Sequence, residues 1–332
     1  MRHEKIQERA TGNVSELLDD QSDPYPKVVE IHPTDKCNHR CDYCFHGGTG
    51  YDPERESEVL SIERYRELFE ELSRLGIDDL SVAGGGEPLM DPRVTSIYRA
   101  ANETGQRIRT VSNGNFLHDD VLESVLDTAE LRVSVDAATP ETYGKLRNVA
   151  GDLYDQTIDN LTRIIEERDR QRAELEIGTT FLINDINKDE AVTFAEEMLE
   201  RGVDEIIYKH DIYNLVTTDE SELARLQRSL KSIDSDKIEV RSKLSMDVPG
   251  TQCFVPYFKT AITPYGEVYS CCLGTQPGEN NGYGLGNLWN KSFEEIWKSS
   301  SELRKNMRTE GVDCESCNHT DYKINKEMEK MQ

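Results

Sequence analysis

A chain of 332 residues with 36% hydrophobic side chains can bury a substantial core, which excludes wholesale disorder and suggests one large domain plus a smaller one. Its formal charge of −25 excludes duplex nucleic acid as a partner, because phosphate binding needs a basic surface. The acidic residues are spread along the chain, so they either solvate the surface or steer a cationic substrate.

Residues 1–26 are polar, end in Asp23-Pro-Tyr-Pro26, and read as a tail or a surface helix. No hydrophobic signal segment is present there, and no apolar run nears the roughly 18–20 residues of a membrane span, so a cytoplasmic location is expected. Beyond it, β-rich runs at Lys27–Ile31, Asp79–Ala83, Arg107–Ser112, Leu131–Asp136, Glu174–Leu182 and Glu205–His210 alternate with amphipathic stretches. The clearest helix takes Ser61 as N-cap, lines up Ile62, Tyr65, Leu68, Phe69, Leu72 and Leu75, and stops at Gly76. Another follows Thr139 and Pro140, and a third carries Ala191, Ala195, Met198 and Leu199 up to Gly202. Such alternation predicts parallel βαβ units, in an open sheet or a barrel, with the working groups at the C-terminal strand ends. Residues 212–249 read as a charged connection with a helix over Glu220–Ser232. A second unit is expected over 250–332, where Ser292-Phe-Glu-Glu295 is a capping box ahead of Phe293, Ile296, Trp297 and Leu303.

The eight cysteines fall in two groups, which reads as metal ligation in a reducing compartment. Cys37, Cys41 and Cys44 follow the first strand at C-x3-C-x2-C spacing. Three thiolates on a [4Fe–4S] cluster leave one iron open to a small molecule; the alternative is a Cys3His zinc knot with His39 or His46. Gly84-Gly85-Gly86-Glu87, Ser112-Asn113-Gly114 and Ser134-Val-Asp136 stand at or just past the ends of the next strands. Glycines there let backbone approach a ligand, and Glu87 places a carboxylate where an ammonium could sit.

The cysteine spacing, with Tyr43 before the last thiol, resembles the signature of the radical S-adenosylmethionine (SAM) enzymes. The resemblance implies a partial (β/α)6 TIM-like barrel over 27–211 and a cluster on Cys37, Cys41 and Cys44 whose open iron is chelated by SAM. Reductive cleavage then gives a 5′-deoxyadenosyl radical that takes hydrogen from substrate, with electrons from an external donor such as flavodoxin or ferredoxin. It also implies that Gly85, Gly86 and Glu87 hold the SAM amino group, that Ser112 and Asn113 contact the ribose, and that Tyr43 packs beside the adenine. Ser134, Asp136 and Arg147 resemble the segment that meets the SAM carboxylate, which suits an arginine fork.

Cys253 and Cys271 enclose Gly266 as C-x12-G-x4-C, and Cys314-Glu-Ser-Cys317 follows. This is similar to the opening of SPASM and twitch extensions, and the shorter twitch form implies a second, auxiliary [4Fe–4S] cluster on Cys253, Cys271, Cys314 and Cys317. Cys272 is left over, as an inert neighbour or as a thiol hydrogen donor. One auxiliary cluster resembles the arrangement of aminocyclitol dehydrogenases, which implies oxidation of a small polyhydroxylated substrate (sugar, aminocyclitol or nucleoside-like). Epimerisation and peptide maturation are the rivals, and a zinc-binding structural protein or an electron carrier is the remote one. Lys209-His210-Asp211, ending the sixth strand, is the best stretch for substrate contacts, including the proton acceptor that alcohol oxidation requires, and His46 is a second candidate.

Overall fold

The computed structural model describes residues 23–44, 46, 51–210, 220–233, 235–241, 252–275, 283–312, 317, 321–322, 325–326 and 328–329. The core is a βα alternation: β1 (Val28–Ile31), α1 (Ile62–Arg74), β2 (Asp79–Val82), α2 (Val94–Glu103), β3 (Arg107–Ser112), α3 (Asp119–Leu126) and β4 (Glu130–Ser134). It continues through α4 (Pro140–Arg147), α5 (Asp152–Gln171), β5 (Glu176–Ile183), α6 (Ala191–Arg201), β6 (Glu205–His210), α7 (Glu220–Ser232) and β7 (Ile238–Arg241). The C-terminal part supplies β8 (Lys259–Ile262), β9 (Glu267–Tyr269), β10 (Gly284–Asn287), α8 (Phe293–Ser299) and α9 (Ser301–Thr309).

All ten of these strands join one sheet, ordered β10-β9-β8-β1-β2-β3-β4-β5-β6-β7. From β8 to β7 the neighbours are parallel; β9 and β10 add antiparallel at the β8 edge. Among the described residues the sheet is not closed, since its outer strands β10 and β7 are not paired to each other, and a mostly parallel sheet of this order fits the partial barrel expected. Two features differ from expectation. The connection 212–249 contains a seventh parallel strand, β7, and the unit after 250 docks β8 directly on β1, in register from Val28 against Lys259.

The helices form where their end signals stand. Ser61 Oγ accepts from Arg64 N, Thr139 Oγ1 accepts from Thr142 N ahead of Pro140, and Ser292 with Glu295 closes a reciprocal capping box. Gly76 and Gly202 take the left-handed conformation just past α1 and α6. In α1, Tyr65, Leu68, Phe69 and Leu72 are buried, each large apolar side chain contributing roughly 1.5–3 kcal/mol.

Strand residues alternate between two different surroundings. Val29, Ile31, Leu80, Val82, Leu131, Val133, Ile177, Phe181, Ile206 and Tyr208 belong to the apolar core under the helices. The inner face is charged instead. Asp79 pairs with Arg109 (3.0 Å), Arg109 with Glu130 (3.7 Å), Glu130 with Arg132, and Arg132 with Glu205 (2.7 Å). Arg132 must cross β5 to reach Glu205 on β6, and the residue in register between them is Gly178. A Cβ at Gly178 would stand 3.3 Å from Glu205 O and 3.8 Å from Arg132 Nε. Gly178→Val should therefore cost about 1–3 kcal/mol by overpacking, read as a lower urea midpoint at unchanged slope. A midpoint equal to that of the parent protein would mean the crossing needs no glycine.

Candidate functional site

The loop after β1 carries Cys37, Cys41 and Cys44, all partly exposed and not in disulfides. A turn from Cys44 N to Cys41 O (3.1 Å) folds it back, and Arg40 N donates to Arg147 O at 3.0 Å. The glycine run after β2 lies directly beneath. Gly86 N donates to Thr34 O (3.1 Å) and Glu87 N to Lys36 O (2.8 Å). A Cβ on Gly86 would lie 2.2 Å from Lys36 O, and one on Gly85 would lie 2.3 Å from Asp35 Oδ1. Gly85 and Gly86 are thus pressed against the cysteine loop itself, whereas the sequence suggested only approach to a ligand.

Glu87 is buried and accepts from Ser112 Oγ (2.7 Å), Asn113 N (2.7 Å) and Leu89 N (3.0 Å). Burial pushes its carboxyl above the usual range, against those three hydrogen bonds. All three donors are neutral, so its negative charge is solvated without an ion pair. Asn113 also donates to Asn38 Oδ1 at 2.7 Å, tying β3 to the cysteine loop.

Asp136, just past β4, takes a left-handed backbone (φ 62°) and gathers three elements. Its carboxylate accepts from Tyr43 Oη (2.7 Å), Arg147 Nη2 (2.6 Å) and Leu182 N (2.7 Å). Arg147 also donates to Ser134 O at 2.7 Å, and Nη1 stands 3.9 Å from Cys41 Sγ. It is a buried residue of α4, not a surface one. Burial opposes the charge on Arg147, but Tyr43 and Asp136 outweigh it and hold its pKa above the usual value. Thr180 Oγ1 donates to Ser134 Oγ at 3.3 Å.

Both histidines of the zinc alternative have other neighbours. His39 Nε2 lies 2.8 Å from Asn115 Oδ1, and its ring meets Tyr143 edge-on. Burial and Arg147 bring its pKa down to about 4. His46 packs edge-on to His32 and is lowered to about 3 by burial, which makes it a weak proton acceptor.

The second cysteine group forms at the opposite end of β1. The hairpin β8–β9 turns at Gly266 (φ 76°), so the segment before β8 and the segment after β9 return to the same end. Cys253, Cys271 and Cys317 interact electrostatically there; Cys314 and Asp211 lie outside the described residues, as does the side chain of His210. Cys272 is buried, and Lys259 Nζ stands 3.5 Å from its sulfur. Lys259 is also 3.6 Å from Glu30 and 3.3 Å from Asp321, and Glu30 bonds His32 at 2.9 Å. Sequence reasoning missed Lys259, Glu30 and His32; the signal was a charged residue in each of two short apolar strands. Lys209 faces inward from β6, and burial, then Arg132 and Arg241, push its pKa down to about 8.

Two family models match the chain: the radical SAM superfamily over residues 31–198 and the SPASM iron–sulfur cluster-binding domain over 253–318. The chain belongs to the radical SAM superfamily. GTP 3′,8-cyclase of Aquifex aeolicus is 26% identical over 329 residues, covering 89% of this chain and 97% of that protein. The AdoMet-dependent heme synthase of Methanosarcina barkeri is 28% identical over 128 residues, and the chain spans only 36% of its length. Streptococcus suis SuiB, solved with S-adenosylmethionine bound, shares the fold at a TM-score of 0.69 and 14% identity, over 91% of this chain and 72% of that one.

As a radical SAM protein with a SPASM region, the chain is an iron–sulfur enzyme that uses SAM and [4Fe–4S] clusters. Its donor sets fit. Cys37, Cys41 and Cys44 share one loop; burial first, then Glu87 and the neighbouring Cys41 and Cys44, raises Cys37 to about 11, and burial first, then Cys253, raises Cys271 to about 12. Thiolates so disfavoured need adjacent metal charge, which deprotonates a ligating thiol. Among the described residues no group of three or more His, Cys, Asp or Glu converges on a single ion. No helix among the described residues is long and apolar enough to cross a membrane. Removing Arg147 would strand the Asp136 charge in the interior, so Arg147→Met should lose about 3–5 kcal/mol in urea unfolding. A loss below about 1 kcal/mol would show the pair to be solvated.

Proposed function

We propose that this radical SAM enzyme oxidises a small polyhydroxylated substrate (sugar, aminocyclitol or nucleoside-like) held on the inner face of the sheet. The carrying observation is the pair of cysteine groups at opposite ends of β1, with a polar inner face between them. Cys37, Cys41 and Cys44 are assigned to the SAM-binding cluster, and Cys253, Cys271, Cys314 and Cys317 to one auxiliary cluster, within a core over 27–211 and an extension over 250–332. When bound, SAM and the first cluster supply a hydrogen-abstracting radical, and the auxiliary cluster supplies an electron acceptor. The substrate carbon loses a hydrogen atom, and its hydroxyl then loses a proton as one electron leaves, so two hydrogens go in all.

The chain's own groups prepare this. Glu87 offers a buried carboxylate hydrogen-bonded by three neutral donors and in no direct ion pair, suited to the SAM ammonium, with Gly85 and Gly86 fixing the backbone beside it. Arg147 Nη1 stands 3.9 Å from Cys41 Sγ, its other terminal nitrogen held by Asp136 and Ser134 O, and its guanidinium would offer the SAM carboxylate a charge-assisted partner. Ser112 and Asn113 line the adjoining strand end. The cyclase relative is named for GTP, which favours the nucleoside-like branch of the substrate class. A second reading, epimerisation, is favoured by Cys272, whose sulfur faces Lys259 on the inner side.

Reconstituted protein should hold about eight irons, and changing Cys37, Cys41 and Cys44 together to Ala should remove about half. Unchanged iron in that triple variant would overturn the N-terminal assignment. The reaction type is tested anaerobically with SAM, reductant and candidate substrates in deuterated water. Dehydrogenation gives a product short of two hydrogens, with no solvent deuterium on carbon. An isomer carrying one deuterium, lost in Cys272→Ala, would decide for epimerisation instead, and a mass change seen only on peptides would overturn the substrate class.

A further inference from the structure

The protein is strongly acidic overall, yet the inner face around Lys209 gathers cations. Tyr208 points the other way, donating to Ala191 O at 2.6 Å and packing on Phe181 and Phe194. Strand alternation therefore turns Lys209 inward, in register with Leu182 on β5 and Arg241 on β7. Arg132, Arg241 and Lys259 all repel its charge, and Asp136 alone among its principal neighbours attracts it.

Each of the other charges is already matched. Arg132 has Glu130 and Glu205, Arg241 has Glu239, and Lys259 has Glu30 and Asp321. Asp136 is committed to Arg147, Tyr43 and Leu182 N. Lys209 has no hydrogen bond or ion pair to any described residue. A half-buried ammonium among like charges is costly unless something negative joins it. A neutral polyol offers hydrogen bonds but no charge.

We propose that Lys209 is the anchor for an anionic group of the substrate, a phosphate or a carboxylate, so that the polyhydroxylated substrate is itself an anion. This rests on the reading that the inner face holds the substrate. The anion keeps Lys209 protonated, so this residue binds charge and does not take the hydroxyl proton. Within a largely neutralised inner face, the charge on Lys209 is the one left for a substrate anion to match.

Binding, not turnover, tests this. Calorimetry on the reconstituted, SAM-loaded protein compares ribose 5-phosphate with ribose, glucose 6-phosphate with glucose, glucuronate with glucose, and inorganic phosphate alone. An anionic member should bind roughly tenfold or more tighter than its neutral partner. Lys209→Gln should lose about that factor, while Lys209→Arg, which keeps the charge and reports on folding, should stay within about threefold. The phosphate and carboxylate arms identify which anion fits. Absence of binding by every anion, equal affinity for neutral partners, or undiminished anion binding by Lys209→Gln would each overturn the proposal. SAM cleavage with hydrogen abstraction from a neutral substrate would leave the oxidoreductase reading standing while this inference fell; anion preference without hydrogen abstraction would do the reverse.

Discussion

The glycine run has no room for side chains of its own beneath the cysteine loop. A Cβ on Gly86 would fall 2.2 Å from Lys36 O, so the two backbones lie in direct contact and are joined by two hydrogen bonds, and one on Gly85 would strike the Asp35 carboxylate. Everything at that end of the sheet is positioned by this contact. It sets Glu87 under the loop, where the carboxylate draws in Ser112 and the Asn113 amide, and Asn113 in turn holds Asn38. The opposite side of the loop is tied through Arg40 to Arg147, and through Tyr43 to Asp136. Four strand ends thereby hold one loop, which is what three thiols require if they are to present a fixed set of donors.

A parallel sheet covered on both faces usually reads as continuous apolar runs. Here one face is apolar and the other carries acids and arginines whose charges are matched strand to strand. Burying such charges is tolerable only with good geometry and mutual pairing. Gly178 illustrates the constraint, since the Arg132–Glu205 pair spans a strand that has to present no side chain. A polar, largely neutralised inner face is pre-organised to bind polar ligands, and any charge left unmatched there acts over a short range with little solvent screening.

Local signals were legible in the sequence, and long-range ones were not. Ser61, Thr139-Pro140 and the Ser292–Glu295 box announce helices because each cap involves residues within one turn. The three-cysteine loop is legible because its spacing is itself local. β7 escaped because Ile-Glu-Val-Arg is a short run inside a charged stretch. β10 escaped because two of its four residues are glycines, one of which, Gly286, leaves room for Ile296 of α8 at about 3.0 Å. The partners of Glu87 and Asp136 come from other strands, and the Lys259–Glu30 contact depends on β8 docking against β1. Such contacts follow from register, which no local pattern specifies.

β1 is then both a core strand and a spacer. Its four residues rise roughly 3.3 Å each, so the strand runs about 10 Å between the end that leads to Cys37 and the end where Cys253 and Cys271 lie. Lys259, Glu30 and His32 occupy the inner face over that length. Burial would raise the Glu30 carboxyl, yet Lys259 and His32 hold it down to about 2, while Asp321, Cys272 and Glu30 keep Lys259 above its usual range despite burial. Neither group changes charge across ordinary pH, so the electrostatic potential they create between the two cysteine groups is constant. Lys209, lowered to about 8 by burial and then by Arg132 and Arg241, is an inner-face cation with no paired acid among the described residues. The fold thus separates two electrostatic arrangements: paired charges along β1 between the cysteine groups, and an unpaired one across the sheet on β6.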